Sequence, residues 1–178
     1  MRLNRFLAAI PALLLATCTA STTDRNHLPE LQTVPKVEMS RYLGTWYEIA
    51  SFPQWFQKGC AATTATYSLR PDGQIDVLNA CRKGGLDGLE DRAHGRAYAL
   101  DASNTKLKVT FFWPFYGDYW VIDLADDYSY AVVGHPSRDY LWILSRQSHM
   151  DPATYKTILG HIRAQGYEME RLQKTQQP

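Results

Sequence analysis

Between Trp46 and Ser145 the chain repeats one pattern eight times: a short run that alternates in polarity, then a turn. The runs begin at Trp46 and then cover 61–69, 75–80, 92–100, 106–112, 119–124, 130–134 and 140–145. A period of two puts successive side chains on opposite faces of a strand, so one face of each run can be buried. Thr63, Ala65, Tyr67 and Leu69 share a face, as do Ile75, Val77 and Asn79, and Leu107, Val109 and Phe111. Pro71-Asp72-Gly73 is a strong turn signal between two of the runs. Short strands in close succession predict an all-β protein, either an up-and-down antiparallel barrel or a sandwich. The last run is apolar on both faces, Trp142 and Leu144 on one and Leu141 and Ile143 on the other, so something must cover each side. The cover follows in sequence. Asp151 is a good N-cap and Pro152 a good first helical residue. Tyr155, Ile158, Leu159 and Ile162 recur at helical spacing, and Gly166 suits the stop. One helix is therefore predicted to pack outside the sheet. A chain of 178 residues suits a single domain. A net charge of +1 with no basic stripe gives no footprint for nucleic acid.

The first strand opens with Gly44-Thr45-Trp46-Tyr47-Glu48. Gly44 suits a tight bend. Trp46, Glu48 and Ala50 then share one face, with Tyr47 and Ile49 opposite. A Trp at that point can plug the end of something hollow, or sit in an ordinary sheet core. Two loops are rich in aromatics, one with Phe52, Trp55 and Phe56, the other with Trp113, Phe115 and Tyr116. Each can serve as a lid over an opening or pack on the domain's own surface.

The N-terminus reads as a targeting segment. Arg2 and Arg5 precede an apolar stretch over 6–16 that is too short to span a bilayer. Leu15-Ala16-Thr17-Cys18 resembles a bacterial lipoprotein box, with Thr17 where Gly, Ala or Ser is usual. The expected layout is a lipoprotein-type signal over 1–17, lipid on Cys18, a flexible tether over 18–34 and the domain over 35–178. Cleavage after Ala20 is the alternative and gives a periplasmic or secreted protein. Cys60 and Cys81 flank the hairpin built on the Pro71 turn, so in an exported chain they are expected to pair; the other reading is two free buried thiols. One is even-numbered and one odd, so pairing requires a bulge near them. The five histidines are scattered without ligand spacing, and no nucleophile–base pattern stands out. The expectation is no metal, no cofactor and no catalytic residue.

Eight strands and a helix, opened by Gly44-Thr45-Trp46, resemble the lipocalin family, nearest to its bacterial outer-membrane lipoprotein and apolipoprotein D branches. Gly117-Asp118-Tyr119 falls near the family's second motif, and Asp139-Tyr140-Leu141-Trp142-Ile143-Leu144-Ser145-Arg146 matches its third. The resemblance implies a barrel closed at one end, with Arg146 stacked across Trp46 there in a structural role. Glu48 also points inward, with Arg146 a candidate partner. It implies a small hydrophobic ligand, such as a fatty acid or lysophospholipid, inside the barrel. Its tail would run along Ala65, Val77, Val109, Phe111 and Trp142, and its headgroup would meet Tyr67 and Asn79 nearer the mouth. The expected protein is a binder and not an enzyme, a monomer or weak homodimer, held at the outer membrane through Cys18. The rival classes are an enzyme built on a barrel cysteine and a structural envelope protein with a filled interior.

Overall fold

The structure, a computed structural model, describes residues 28–178, so the signal segment and Cys18 lie outside the described residues. Eight strands succeed one another: β1 (Gly44–Ser51), β2 (Cys60–Leu69), β3 (Ile75–Lys83), β4 (Leu89–Ala99), β5 (Lys106–Phe112), β6 (Phe115–Leu124), β7 (Tyr130–Gly134) and β8 (Leu141–Ser145). Each pairs antiparallel with the next, and β1 pairs with both β2 and β8. The sheet therefore closes into an up-and-down barrel, which leaves no sandwich. Helix α1 (Met39–Tyr42) precedes β1, and α2 (Pro152–Ala164) follows β8. A ninth short strand, β9 (Gln173–Lys174), adds to β1 at Ala50 and Ser51, where β1 has parted from β2.

Two hairpins run longer than their polarity pattern. β4 begins at Leu89 and β6 at Phe115, because ladder pairs such as Lys83↔Leu89 and Phe112↔Phe115 continue past the packed interior. Alternation in sequence records burial, and these strand ends are exposed. Leu69, expected in the barrel wall, is 61% exposed at the end of β2, where the strand overshoots toward its turn.

Bulges set which side chains face in. Ala62 has φ 48°, and the β2–β3 register shifts between Ala61 and Thr64. This is the bulge that the parity of the cysteines requires. Cys60 and Cys81 form a disulfide with their Cα atoms 5.4 Å apart. A second shift lies in β1 between Glu48 and Ala50. It moves Ala50, expected inward with Trp46, into the layer outside the barrel.

That outer layer is a separate apolar cluster. Asp151 accepts the Thr154 N–H at 2.9 Å and caps α2, and the chain leaves the helix region at Gly166 with φ 84°. Ile158 and Ile162 are buried against Phe52, Val132, Leu141 and Ile143. β8 thus divides as its pattern predicts, with Trp142 and Leu144 inside and Leu141 and Ile143 under the helix. Residues 28–34, expected in the tether, lie against the barrel. Leu31 is buried in the outer cluster, and the Val34 N–H donates to the Val121 carbonyl at 3.0 Å. An apolar side chain with a site under the helix is not free to serve as linker.

Candidate functional site

One end of the barrel is sealed by Trp46. The ring is fully buried, and its Nε1–H donates to the Tyr42 carbonyl at 2.8 Å. The Arg146 guanidinium lies 3.7 Å from the ring centroid. It also donates to the carbonyls of Arg41, Tyr42, Leu43 and Thr45 at 2.6–3.1 Å. These carbonyls belong to the end of α1 and the bend after it, where acceptors lack partners of their own. Gly44 takes φ 93° there, and a Cβ on it would come within 3.4 Å of Arg146 Nη1. The glycine, the tryptophan and the arginine form one closure. Arg146 is therefore not the partner of Glu48. The Glu48 carboxylate is buried toward the mouth and accepts from Ser51 Oγ, Gln57 Nε2 and Thr175 Oγ1. Gln177 Nε2 donates to the carbonyls of Glu48 and Thr63, so the C-terminal segment fills the seam where β1 and β2 part.

Above that floor lies a cavity of about 870 Å³, reaching from Met39 and Tyr42 to Trp55 and Phe112. This is the size range of small-molecule sites. Ala65, Tyr67, Val77, Asn79, Val109, Phe111 and Trp142 all line it. The volume has a source that polarity alone does not reveal. On β4 the inward positions are Ala93, Gly95, Ala97 and Ala99, alternating with Arg92, His94, Arg96 and Tyr98. One wall thus carries almost no side-chain bulk. The Phe111 ring lies over Gly95, where an added Cβ would come within 2.8 Å of it.

Polar groups in the cavity are few and uneven in depth. Asn79 stands between Ala65 and Ala93 in the strand register, and its Oδ1 is buried without a hydrogen-bond partner among the described residues. Trp142 donates through Nε1 to Gln57 Oε1 at 3.0 Å, which ties the β1–β2 connection to the wall. Tyr67 differs from expectation. It sits near the floor, its ring centroid 5.8 Å from that of Tyr42 and its hydroxyl 3.0 Å from that of Tyr119. β2 runs from the mouth at Cys60 toward the closed end, so a residue late in the strand is deep. Tyr42 and Tyr119 also line the cavity and were missed. Tyr42 precedes the first strand, and Tyr119 opens the run 119–124, whose faces the sequence pattern does not assign to inside or outside.

The mouth contrasts with this interior. Trp55 is 82% exposed and Trp113 81%, with Phe56, Leu89, Phe112 and Phe115 also exposed. All six lie on the connections or strand ends at the open end. Phe52 packs down into the outer cluster, while Trp55 and Phe56 border the rim of the cavity with much of their surface in water. Cys60, at the same end, is committed to Cys81 and offers no free thiol. Among the described residues no group of three His, Cys, Asp or Glu side chains is placed to hold a metal.

An eight-stranded antiparallel barrel, plugged by Trp and Arg at one end and carrying a helix outside, is the lipocalin architecture. The chain belongs to the lipocalin family: it matches the family described as Lipocalin-like domain over residues 37–177. It is 44% identical to Temperature-induced lipocalin-1 of Arabidopsis thaliana over 158 residues, 83% of each chain. It is 40% identical to Outer membrane lipoprotein Blc of Escherichia coli over 172 residues, 96% of this chain and 94% of that protein. Mouse Apolipoprotein D is 32% identical over 186 residues, covering 97% of this chain and 93% of its own. Among solved structures, insecticyanin of Manduca sexta shares the fold with a TM-score of 0.69 at 18% identity, covering 85% of this chain and 87% of its own.

Proposed function

We propose that the protein takes up a single-chain amphiphile, a fatty acid or lysophospholipid, and holds it in the barrel without chemical change. The observation that carries this reading is the 870 Å³ cavity, open at an apolar mouth and closed at the floor. The tail lies along Ala65, Val77, Val109, Phe111 and Trp142, and the headgroup stays near Asn79 and the mouth. Burying ten methylenes contributes about 8 kcal/mol at about 0.8 each, before the cost of association, so affinity is micromolar or weaker.

The proposed setting is the bacterial envelope, supported by the relatives named outer membrane lipoprotein. Lipid on Cys18 anchors a monomer or weak homodimer after removal of residues 1–17. Pro29 is held by Arg138 of the β7–β8 connection, so the described chain starts beside the open end. The ten residue steps from Cys18 to Leu28 reach at most about 36 Å, which suits a mouth turned toward the membrane.

Protein purified without added ligand and analysed by native mass spectrometry should carry an extractable single-chain lipid. Fatty acid or lysophospholipid should also change the tryptophan fluorescence saturably. Failure of both classes to bind refutes the reading. Mass analysis of the mature N-terminus tests the anchor separately, and a free Thr19 or Ser21 start refutes it.

A further inference from the structure

The floor carries a polar feature that an acyl tail does not use. Tyr42, from α1, Tyr67, late in β2, and Tyr119, within β6, bring their hydroxyls together. Tyr119 Oη lies 2.7 Å from Tyr42 Oη and 3.0 Å from Tyr67 Oη. Two contacts use two of the three hydroxyl hydrogens. The third has no further acceptor among the described residues, and all three side chains border the cavity. A buried donor without a partner costs more than a hydrogen bond is worth on balance.

The surroundings define what can satisfy it. Burial pushes all three phenols up, Tyr67 to about 12, so they are neutral donors at physiological pH. The cation whose charge reaches Tyr42 is Arg146, which is spent on the Trp46 ring and four carbonyls. A carboxylate at this depth would be a buried charge without a counter-ion. A hydroxyl or carbonyl oxygen would not.

We infer that the Tyr42–Tyr119–Tyr67 chain is a subsite for a neutral oxygen, a hydroxyl or a carbonyl, carried on the leading end of an otherwise apolar ligand. A carbonyl accepts the spare hydrogen. A ligand hydroxyl accepts it and can also donate into the chain. The cavity then discriminates by what a chain carries at its far end as well as by length. This rests on the proposed ligand-binding reading, and goes beyond it in naming the chemistry of the buried end.

The test is a coupling measurement on the purified protein. Hexadecanoic acid and 16-hydroxyhexadecanoic acid are titrated into wild type and Tyr119→Phe, and the ratio of the two Kd values is compared between proteins. Differences in ligand solubility cancel in that comparison. Loss of the bridging hydroxyl frees the Tyr42 and Tyr67 hydrogens together and should shift the ratio in favour of the hydroxy acid by about five- to tenfold. The triple variant Tyr42→Phe, Tyr67→Phe and Tyr119→Phe, which has no hydroxyl left to donate, is measured in parallel, so that a folding failure of one variant leaves the other, and it should shift the ratio against the hydroxy acid. Ratios within twofold of wild type in the folded variants overturn the subsite while leaving lipid binding intact. Failure of both acids to bind wild type overturns the ligand-binding reading itself, and the subsite with it.

Discussion

The two ends of the barrel satisfy their surfaces in opposite ways. At the floor nearly every polar group has a partner and every large ring is covered: Trp46 by Arg146, and four backbone carbonyls by the same guanidinium. At the mouth Trp55 and Trp113 leave more than four-fifths of their surface in water, although a tryptophan is among the largest apolar payloads a chain can bury. Folding explains the floor. It does not explain the mouth, where exposed apolar surface of this extent signals contact with something else. Substitutions should therefore separate by end, with stability lost at the floor and ligand or surface behaviour lost at the mouth.

Arg146→Ala should give the largest effect. It strands carbonyls near α1 and removes the cation from the Trp46 ring, a loss of about 3 kcal/mol. For a domain of this size that lowers the melting temperature by roughly 6–12 °C in a thermal scan. Ligand affinity should stay within about threefold, because Arg146 lies across Trp46 from the cavity. A variant that melts like wild type but loses ligand would reverse the division between the ends.

A smaller loss at the floor should come with alkaline pH. Tyr67 is held near 12 by burial, against about 10 in the unfolded chain. The folded state keeps a proton that the unfolded state gives up. Its contribution is complete below pH 10 and falls as pH rises from 10 to 12, by about 2 kcal/mol. Tyr42 and Tyr119 shift in the same direction. Urea midpoints measured across pH 9–12 should fall, and Tyr67→Phe should flatten part of that slope. An unchanged slope would place the ring in contact with bulk water.

Midway up the wall, Trp142→Ala removes a flat face from the cavity and the donor that holds Gln57. Affinity for a fatty acid should drop about tenfold, near 1.4 kcal/mol, with loss of much of the fluorescence response. Val109 and Phe111 give a milder version of the same test on the opposite wall.

What the sequence made legible follows the same division. Polarity alternation located the strands wherever one face is buried; in β8, apolar on both faces, it called for a cover on each side, which the cavity wall and α2 supply. Arg146 against Trp46 was readable through the resemblance to the lipocalin motifs. Depth was not readable. Tyr67 was placed near the headgroup, whereas the direction of β2, which pairs it with Gly44, puts it at the floor. Glu48 was given Arg146 as partner, and its true partners include Gln57 from a loop and Thr175 from the C-terminal segment. Contacts between residues 127 positions apart leave no periodic trace. The run Ala93, Gly95, Ala97, Ala99 did carry a signal, small residues alternating with large polar ones. Hydrophobicity alone gave it no weight, because a cavity is marked by missing volume.

The smallest effect on stability should come from the mouth, and it sharpens the comparison most. Trp55→Ser and Trp113→Ser remove surface that is already in water, so each should leave the urea midpoint within about 0.5 kcal/mol of wild type. Their consequence should appear on lipid. If the proposed orientation holds, Trp113 and Trp55 reach the acyl boundary of a bilayer, while Trp46 stays sealed at the far end. Vesicles carrying brominated acyl chains should then quench part of the tryptophan emission of the wild-type protein. The double variant should lose most of that quenching while binding fatty acid normally. The quenching reports contact by these two rings, which an anchor on Cys18 cannot imitate by itself. Equal quenching in wild type and double variant would remove the membrane from the account of the mouth. A fall in self-association of the double variant, seen by analytical ultracentrifugation without vesicles, would assign the exposed rings to a second copy of the chain instead.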